Sequence, residues 1–424
     1  MELRKYPRLE EAVYWHTLKN GLPVAILPRR GFTKNLCYFV TDYGAIHTDF
    51  TVDGKAFSAP AGVAHYLEHK LFDMPGRDIG SEFAALGADV NAFTGYDMTA
   101  YYFTCTEQFA PCLQLLLEFV STPYFTEESV AKEQGIIGQE IEMNADLPDT
   151  AVFEQLTSAM YENHPIRVPI LGTKNSIAQI TPEILNACHK AFYRPDNMLL
   201  CVVGDVDPAE VIAIAEATLP GKPTATVTKT DTWQEVPAVS RQPLPQKMDV
   251  AMPMFQLGFK CPPLGKGEAA VRQELIGDLA AEALFGESSP LYLRLYEEGI
   301  IDASFGGGYE TVEGMSMLTV SGDSHQPEAI REAIFAQTEV LLKEGIDHFD
   351  RMKRSAIGRR IKALDSFDST CFRICAYHFS GFDYLDFPRL YDTLTETEVL
   401  SFLRTAITRE GCCLSVILPS QKEA

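Results

Sequence analysis

Basic residues are scarce in this 424-residue chain: 36 lysines and arginines stand against 58 aspartates and glutamates, a net charge of −22. That excess repels phosphate backbones and anionic lipid, so partnership with nucleic acid or a membrane surface is disfavoured. Long apolar runs are lacking as well. No stretch approaches the ~20 apolar residues that cross a bilayer, which predicts no membrane-spanning helix. The segment Met1-Glu2-Leu3-Arg4-Lys5-Tyr6-Pro7-Arg8 has no apolar core of the kind that directs export, so a cytoplasmic location is expected. Cys-x-x-Cys pairs are absent. Cys37, Cys105, Cys112, Cys188, Cys201, Cys261, Cys371, Cys375, Cys412 and Cys413 are scattered and read as reduced thiols. Cys371 and Cys375 share a helical face and read as small core residues rather than a metal site. A nucleotide fingerprint is missing too, and Gly306-Gly307-Gly308 reads as a flexible turn between strands.

What is present is an ordinary globular composition, 46% hydrophobic, in a chain long enough for two or more domains. The element order suggests two similar halves of an α+β fold. His16 to Leu27 reads as a hairpin around Asn20-Gly21. A strand follows near Cys37 to Asp42, then helices, then strand from Asn91 to Cys105, rich in Thr, Tyr and Phe. Thr181-Pro182-Glu183 and Asp207-Pro208 are helix starts, the latter with Glu210 as a capping box. Residues 222–246, rich in Thr, Pro and Gln, read as a linker between domains at 1–221 and 247–424. The second half repeats the order, ending in a long helix from Phe349 toward Asp365.

The most informative stretch is His65-Tyr66-Leu67-Glu68-His69, a His-x-x-Glu-His pattern. Ser58-Ala59-Pro60 suggests a helix start ahead of it. On a helix, residues three and four apart share a face, so both imidazoles point one way with Glu68 beside them. Two histidines so placed can hold one zinc, with the carboxylate over the metal's open position. A tetrahedral catalytic zinc needs a third protein ligand. The segment Thr126 to Asp146 reads as a long helix capped by Thr126, with Val130, Ile136, Ile137 and Ile141 as its apolar face. Glu133 and Glu140 lie two turns apart on it and point the same way. Spacing alone does not say which of the two binds metal.

His-x-x-Glu-His followed by Glu133-Gln-Gly-Ile-Ile-Gly-Gln-Glu140 resembles the M16 metallopeptidases, the family of pitrilysin, insulin-degrading enzyme and the mitochondrial processing peptidase. The resemblance continues through Gly87-Ala88-Asp89-Val90-Asn91-Ala92-Phe93-Thr94, Tyr193 to Met198 and Gly204 to Pro208. It covers the first half strongly and the second half weakly, and is most similar to the short bacterial, YmfH-like members of the M16B type. It implies two homologous half-domains, each an antiparallel-rich sheet packed with helices. It implies His65, His69 and Glu140 as ligands of one zinc per chain, Glu68 as general base, and Glu133 as the carboxylate orienting a ligand histidine. It also implies that Asn91, Ala92, Phe93 and Thr94 form an edge strand to which a peptide substrate adds.

One departure stands out. The family pattern carries an Arg and, a few residues on, a Tyr in the second half that help hold substrate. Here Tyr296 and Asp302 occupy those positions, while Arg294 and Tyr309 are out of step. The expectation is therefore a zinc endopeptidase subunit, acting on short or unfolded peptides in a closed chamber, with a homologous partner that supplies the Arg/Tyr clamp. A homodimer is the alternative assembly, and a non-catalytic binding subunit is the alternative function.

Overall fold

The computed structural model describes residues 1–219, 221–222, 225–230 and 232–420. They form two compact units, each around one mixed sheet. The first comprises Met1–Ile141, Pro169–Thr230 and Ile361–Asp386. Its seven strands lie in the order Glu2–Tyr6, Glu11–Thr17, Pro23–Pro28, Met198–Gly204, Asn35–Thr41, Thr99–Cys105 and Ala88–Thr94. Neighbours are antiparallel except Pro23–Pro28 with Met198–Gly204. The central strands Asn35–Thr41 and Met198–Gly204 are buried along their whole length, because helices cover both faces. Side chains alternate between those faces. Cys37 and Phe39 join the core that includes Leu113, Leu116 and Val120 of helix Phe109–Ser121. Tyr38 points the other way, where Phe93 packs on Phe372 of helix Phe367–Phe379.

The stretch Asn91 to Cys105 is not one strand. It folds back as a hairpin, with Gly95 N–H donating to the Met98 carbonyl, so Ala88–Thr94 becomes the sheet's edge. The helix with the His-x-x-Glu-His motif spans Val63–Leu71, and its start is not at Ser58-Ala59-Pro60. Gly62 is its first flanking residue, at φ 92. A Cβ there would lie 2.4 Å from the Leu171 carbonyl oxygen, so only glycine lets the two segments approach.

The second unit comprises Glu142–Val168, Asp231–Arg360 and Phe387–Ala424. Its sheet runs Gln246–Met248, Cys412–Pro419, Met254–Lys260, Met315–Asp323, Gly306–Val312. The first pair is parallel and the others antiparallel. Counted along the chain this order is first, fifth, second, fourth, third. The last five strands of the first unit's sheet follow the same order with the same parallel pair, so the two halves share one topology. In each half, a long helix follows the fourth strand and its own helix: Glu127–Ala145 in one, Phe349–Lys362 in the other.

The compact units are not the contiguous stretches 1–221 and 247–424. Each half lends the next helix to the other unit. Helix Pro148–Met160 packs on Met254–Lys260 and Cys412–Pro419, burying Ala151, Val152, Leu156 and Met160. Helix Phe367–Phe379 packs on Asn35–Thr41 and Met198–Gly204, burying Cys371, Ile374 and Cys375. These are equivalent strands of the two sheets, and apolar burial places each helix where its sequence neighbourhood does not. The segment 222–246 is also tied down where it is described. Val227–Lys229 pairs with Asp49–Val52, and Glu235 accepts from the backbone N–H groups of Glu162, Asn163 and His164 while pairing with Lys260 at 2.7 Å.

Gly306-Gly307-Gly308 is part of a strand and not a turn. A Cβ on Gly307 would lie 2.6 Å from both the Phe285 ring and the Thr319 carbonyl oxygen, so the missing side chain lets helix Gly267–Phe285 lie against the sheet. Gly307→Ala is expected to cost ~1–3 kcal/mol by overpacking, read as a lower urea midpoint. Gly306→Ala, with nothing within 4 Å of its Cβ, should change the midpoint far less.

Candidate metal centre

The motif helix is buried on nearly every side: Val63, Ala64, Tyr66, Leu67 and Leu71 sit in the core, and His65 and Glu68 are only 7% and 8% exposed. The long helix Glu127–Ala145 is capped as its sequence suggests, with Ser129 N–H donating to the Thr126 hydroxyl. Val130 and Ile137 are its buried contacts, one turn-pair apart. Ile136 does not join them; it lies 100° round the helix, on the side of Glu133 and Glu140, and is 47% exposed. The Tyr66 hydroxyl donates to the Val130 carbonyl and ties the two helices together.

That packing brings the two expected halves of a metal site together. His65 Nε2 lies 3.6 Å from Glu140 Oε1, and His69 Nε2 lies 3.6 Å from Glu140 Oε2. The ligand atoms of His65, His69 and Glu140 all fall within 4.8 Å of one another, and among the described residues no other group of His, Cys, Asp and Glu does so. Bonds of ~2.1 Å to a tetrahedral zinc put neighbouring ligands ~3.4 Å apart, close to the spacing found. Glu133 Oε1 lies 3.0 Å from His69 Nδ1, which leaves Nε2 of that ring facing Glu140. Among the described residues His65 Nδ1 is buried without a hydrogen-bond partner, an arrangement tolerable for a neutral ring and costly for a charged one. The donor set therefore suits one borderline-soft divalent cation.

The electrostatics agree. Burial, with His69 adding to it, pushes the His65 imidazole down to about 3, so it is neutral at ordinary pH. Burial alone would lower His69, but its hydrogen bond to Glu133 and the charges of Glu68, Glu133 and Glu140 leave it above its usual range. Burial raises the Glu68 carboxyl, opposed by the Thr94 hydroxyl and His69 and assisted by Glu140. A carboxyl raised in this way is better matched to accepting a proton near neutral pH.

Asn91, Ala92, Phe93 and Thr94 lie on the edge strand, with no strand on its outer side among the described residues. Asn91 Oδ1 accepts from the Ala92 N–H at 2.8 Å. A cavity of about 570 Å³ opens beside them, lined by Glu68, His69, Phe72, Asn91, Ala92 and Lys132 among others. Phe72 and Lys132 had no motif to mark them. The structure does not bring the out-of-step residues of the second half into a clamp. Arg294 is 4.0 Å from Glu298, and Tyr309 is buried with its hydroxyl held by Gln273. Tyr296 is exposed and stacked on Tyr292, and Asp302 turns back to Ser304.

Known proteins carry the same architecture. Residues 56–174 match the family model of insulinase (peptidase family M16), and residues 179–355 match that of the peptidase M16 inactive domain. The chain is 35% identical over 424 residues to YmfH of Bacillus subtilis, named an uncharacterized zinc protease, covering 98% of each chain. A second Bacillus subtilis relative with that designation, YmxG, is 27% identical over 73% of this chain and 76% of its own. The crystal structure of an M16-like peptidase from Alicyclobacillus acidocaldarius matches with a TM-score of 0.92 at 31% identity, covering 97% of this chain and 99% of that one. A protease from Helicobacter pylori shares the fold, with a TM-score of 0.79 at 19% identity over 96% of this chain and 99% of its own. The full-length likeness to YmfH, the matched family models and the shared α+β topology of the two halves agree: this chain belongs to the M16 peptidase family.

Proposed function

We propose that this chain is a zinc-dependent endopeptidase subunit that cleaves short or unfolded peptides. The convergence of His65, His69 and Glu140 around one point, with Glu68 beside them, carries this reading. His65, His69 and Glu140 would hold one zinc, and Glu133 fixes the ring of His69. When bound, zinc supplies Lewis acidity toward the peptide carbonyl and the attacking water. Glu68 accepts the water's proton and returns it to the departing amine. Among the described residues the outer edge of Ala88–Thr94 is unpaired, and it offers main-chain donors and acceptors to an extended peptide segment.

The clamp positions carry Tyr296 and Asp302, which supports a partner: a homologous subunit bearing the Arg/Tyr pair, or a second copy of this chain. The match of residues 179–355 to an inactive domain favours a second reading, a binding subunit without turnover. A cytoplasmic setting fits the ten free, buried cysteines. Among the described residues no helix is long and apolar enough to cross a membrane.

The test is cleavage of an unstructured peptide and of a folded protein by the zinc-loaded chain, alone and mixed with the homologous subunit. The peptide alone should be cut, weakly by the isolated chain and faster in the mixture. The net charge of −22 predicts faster turnover of a Lys-flanked peptide than of its Glu-flanked twin, the gap closing as salt rises. Robust turnover by a demonstrable monomer would remove the partner requirement. No turnover in any assembly, with zinc bound, would favour the binding subunit.

A further inference from the structure

The hydroxyl of Thr94 donates to Glu68 Oε2 at 2.5 Å, across 26 residues of sequence. Thr94 is the last residue of the edge strand, and Glu68 is a buried carboxylate on the motif helix. We propose that Thr94 is a positioning residue for the base, and that the strand which receives the peptide also sets the direction of the proton transfer. This rests on the peptidase reading above.

Three features support it. A β-branched side chain in a strand is stiff about χ1, so the Thr94 hydroxyl is aimed before any substrate arrives. A short hydrogen bond to a carboxylate is a strong one, and it occupies one oxygen only. Oε1 of Glu68 is left to the reacting groups, with the rotation of the carboxylate set by its partner. The outer edge of Ala88–Thr94 is open while its inner edge is paired with Thr99–Cys105, so one element fixes peptide and base together. An off-line base costs rate rather than affinity, because the interaction matters most where the proton moves.

The test uses the zinc-loaded full chain, alone and mixed with the homologous subunit, in three forms: parent, Thr94→Val and Thr94→Ser. Valine keeps shape and strand preference and deletes the hydroxyl; serine restores it. Thr94→Val should bind zinc as the parent does and lower kcat roughly tenfold or more, with KM within about twofold. Thr94→Ser should return kcat to within about threefold of the parent. Crystal structures of the metal-free variants give a readout independent of turnover: Glu68 should leave its parent rotamer in Thr94→Val and keep it in Thr94→Ser. Should Thr94→Val not fold, Thr94→Ala carries the same readouts. A parent-like kcat in the hydroxyl-deleted variant, a loss confined to KM, or an unmoved Glu68 would overturn the proposal. A parent that cleaves nothing while zinc is bound would sink the peptidase reading instead, and the Glu68 rotamers would still decide the role of Thr94.

Discussion

Glu68→Gln is expected to retain about one zinc per chain while peptide cleavage falls by roughly 10²–10⁴-fold. Glutamine has the shape of glutamate and lacks its basicity, and Glu68 is not among the three residues whose ligand atoms converge. Metal content and turnover, measured on the same preparation, separate the two roles. A Glu68→Gln protein that cleaves as fast as the parent would remove the mechanism. One that loses its zinc would make Glu68 a ligand.

The second large effect distinguishes the paired glutamates. Glu140→Gln is expected to release most of the zinc, because Glu140 alone of the two faces both imidazole Nε2 atoms, each at 3.6 Å. Glu133→Gln is expected to weaken zinc about 10–100-fold without abolishing it, since it removes an orienting partner of His69. The reverse pattern would exchange the assignments. The same site sets a pH dependence. Zinc binds the unprotonated ring, and His65, pushed down to about 3, carries no proton to displace at neutral pH. His69 is raised above its usual 6.5, so it holds a proton to higher pH in the metal-free protein. Affinity for zinc should therefore begin to fall as pH drops through a point above 6.5, where protons compete for the His69 ring. Calorimetry in buffers of different ionisation enthalpy reads proton release directly, and binding with no proton released at pH 6.5 would contradict the raised His69.

The legible parts of this protein were those with short-range rules. Helical spacing made His65, Glu68 and His69 one face and Glu133 and Glu140 another, and the caps at Thr126 and Thr181 are where hydroxyl chemistry puts them. The turn at Gly95 to Met98 was not separable from its flanking strands, because Thr, Tyr and Phe suit a strand on either side of it. Ile136 looked like core beside Ile137, yet one residue of rotation leaves it 47% exposed. Gly306-Gly307-Gly308 resembled a turn because glycine reports permissiveness, not the approaching Phe285 that requires it.

By itself the sequence determined the two helices of the site and the chemistry they offer, nitrogen and carboxylate donors at fixed angular spacing, and a repeated order of strands and helices. Local periodicity suffices for this, since it depends on 3.6 and 2 residues per repeat and on nothing distant. The tertiary structure decided which donors meet. Glu140, not Glu133, faces both imidazoles because Val130 and Ile137 lock the long helix at one rotation beside Tyr66. Thr94 reaches Glu68, and helices Pro148–Met160 and Phe367–Phe379 change units, for the same physical reason. These contacts join residues far apart in the chain, and burial of apolar surface, which is indifferent to sequence distance, selects them.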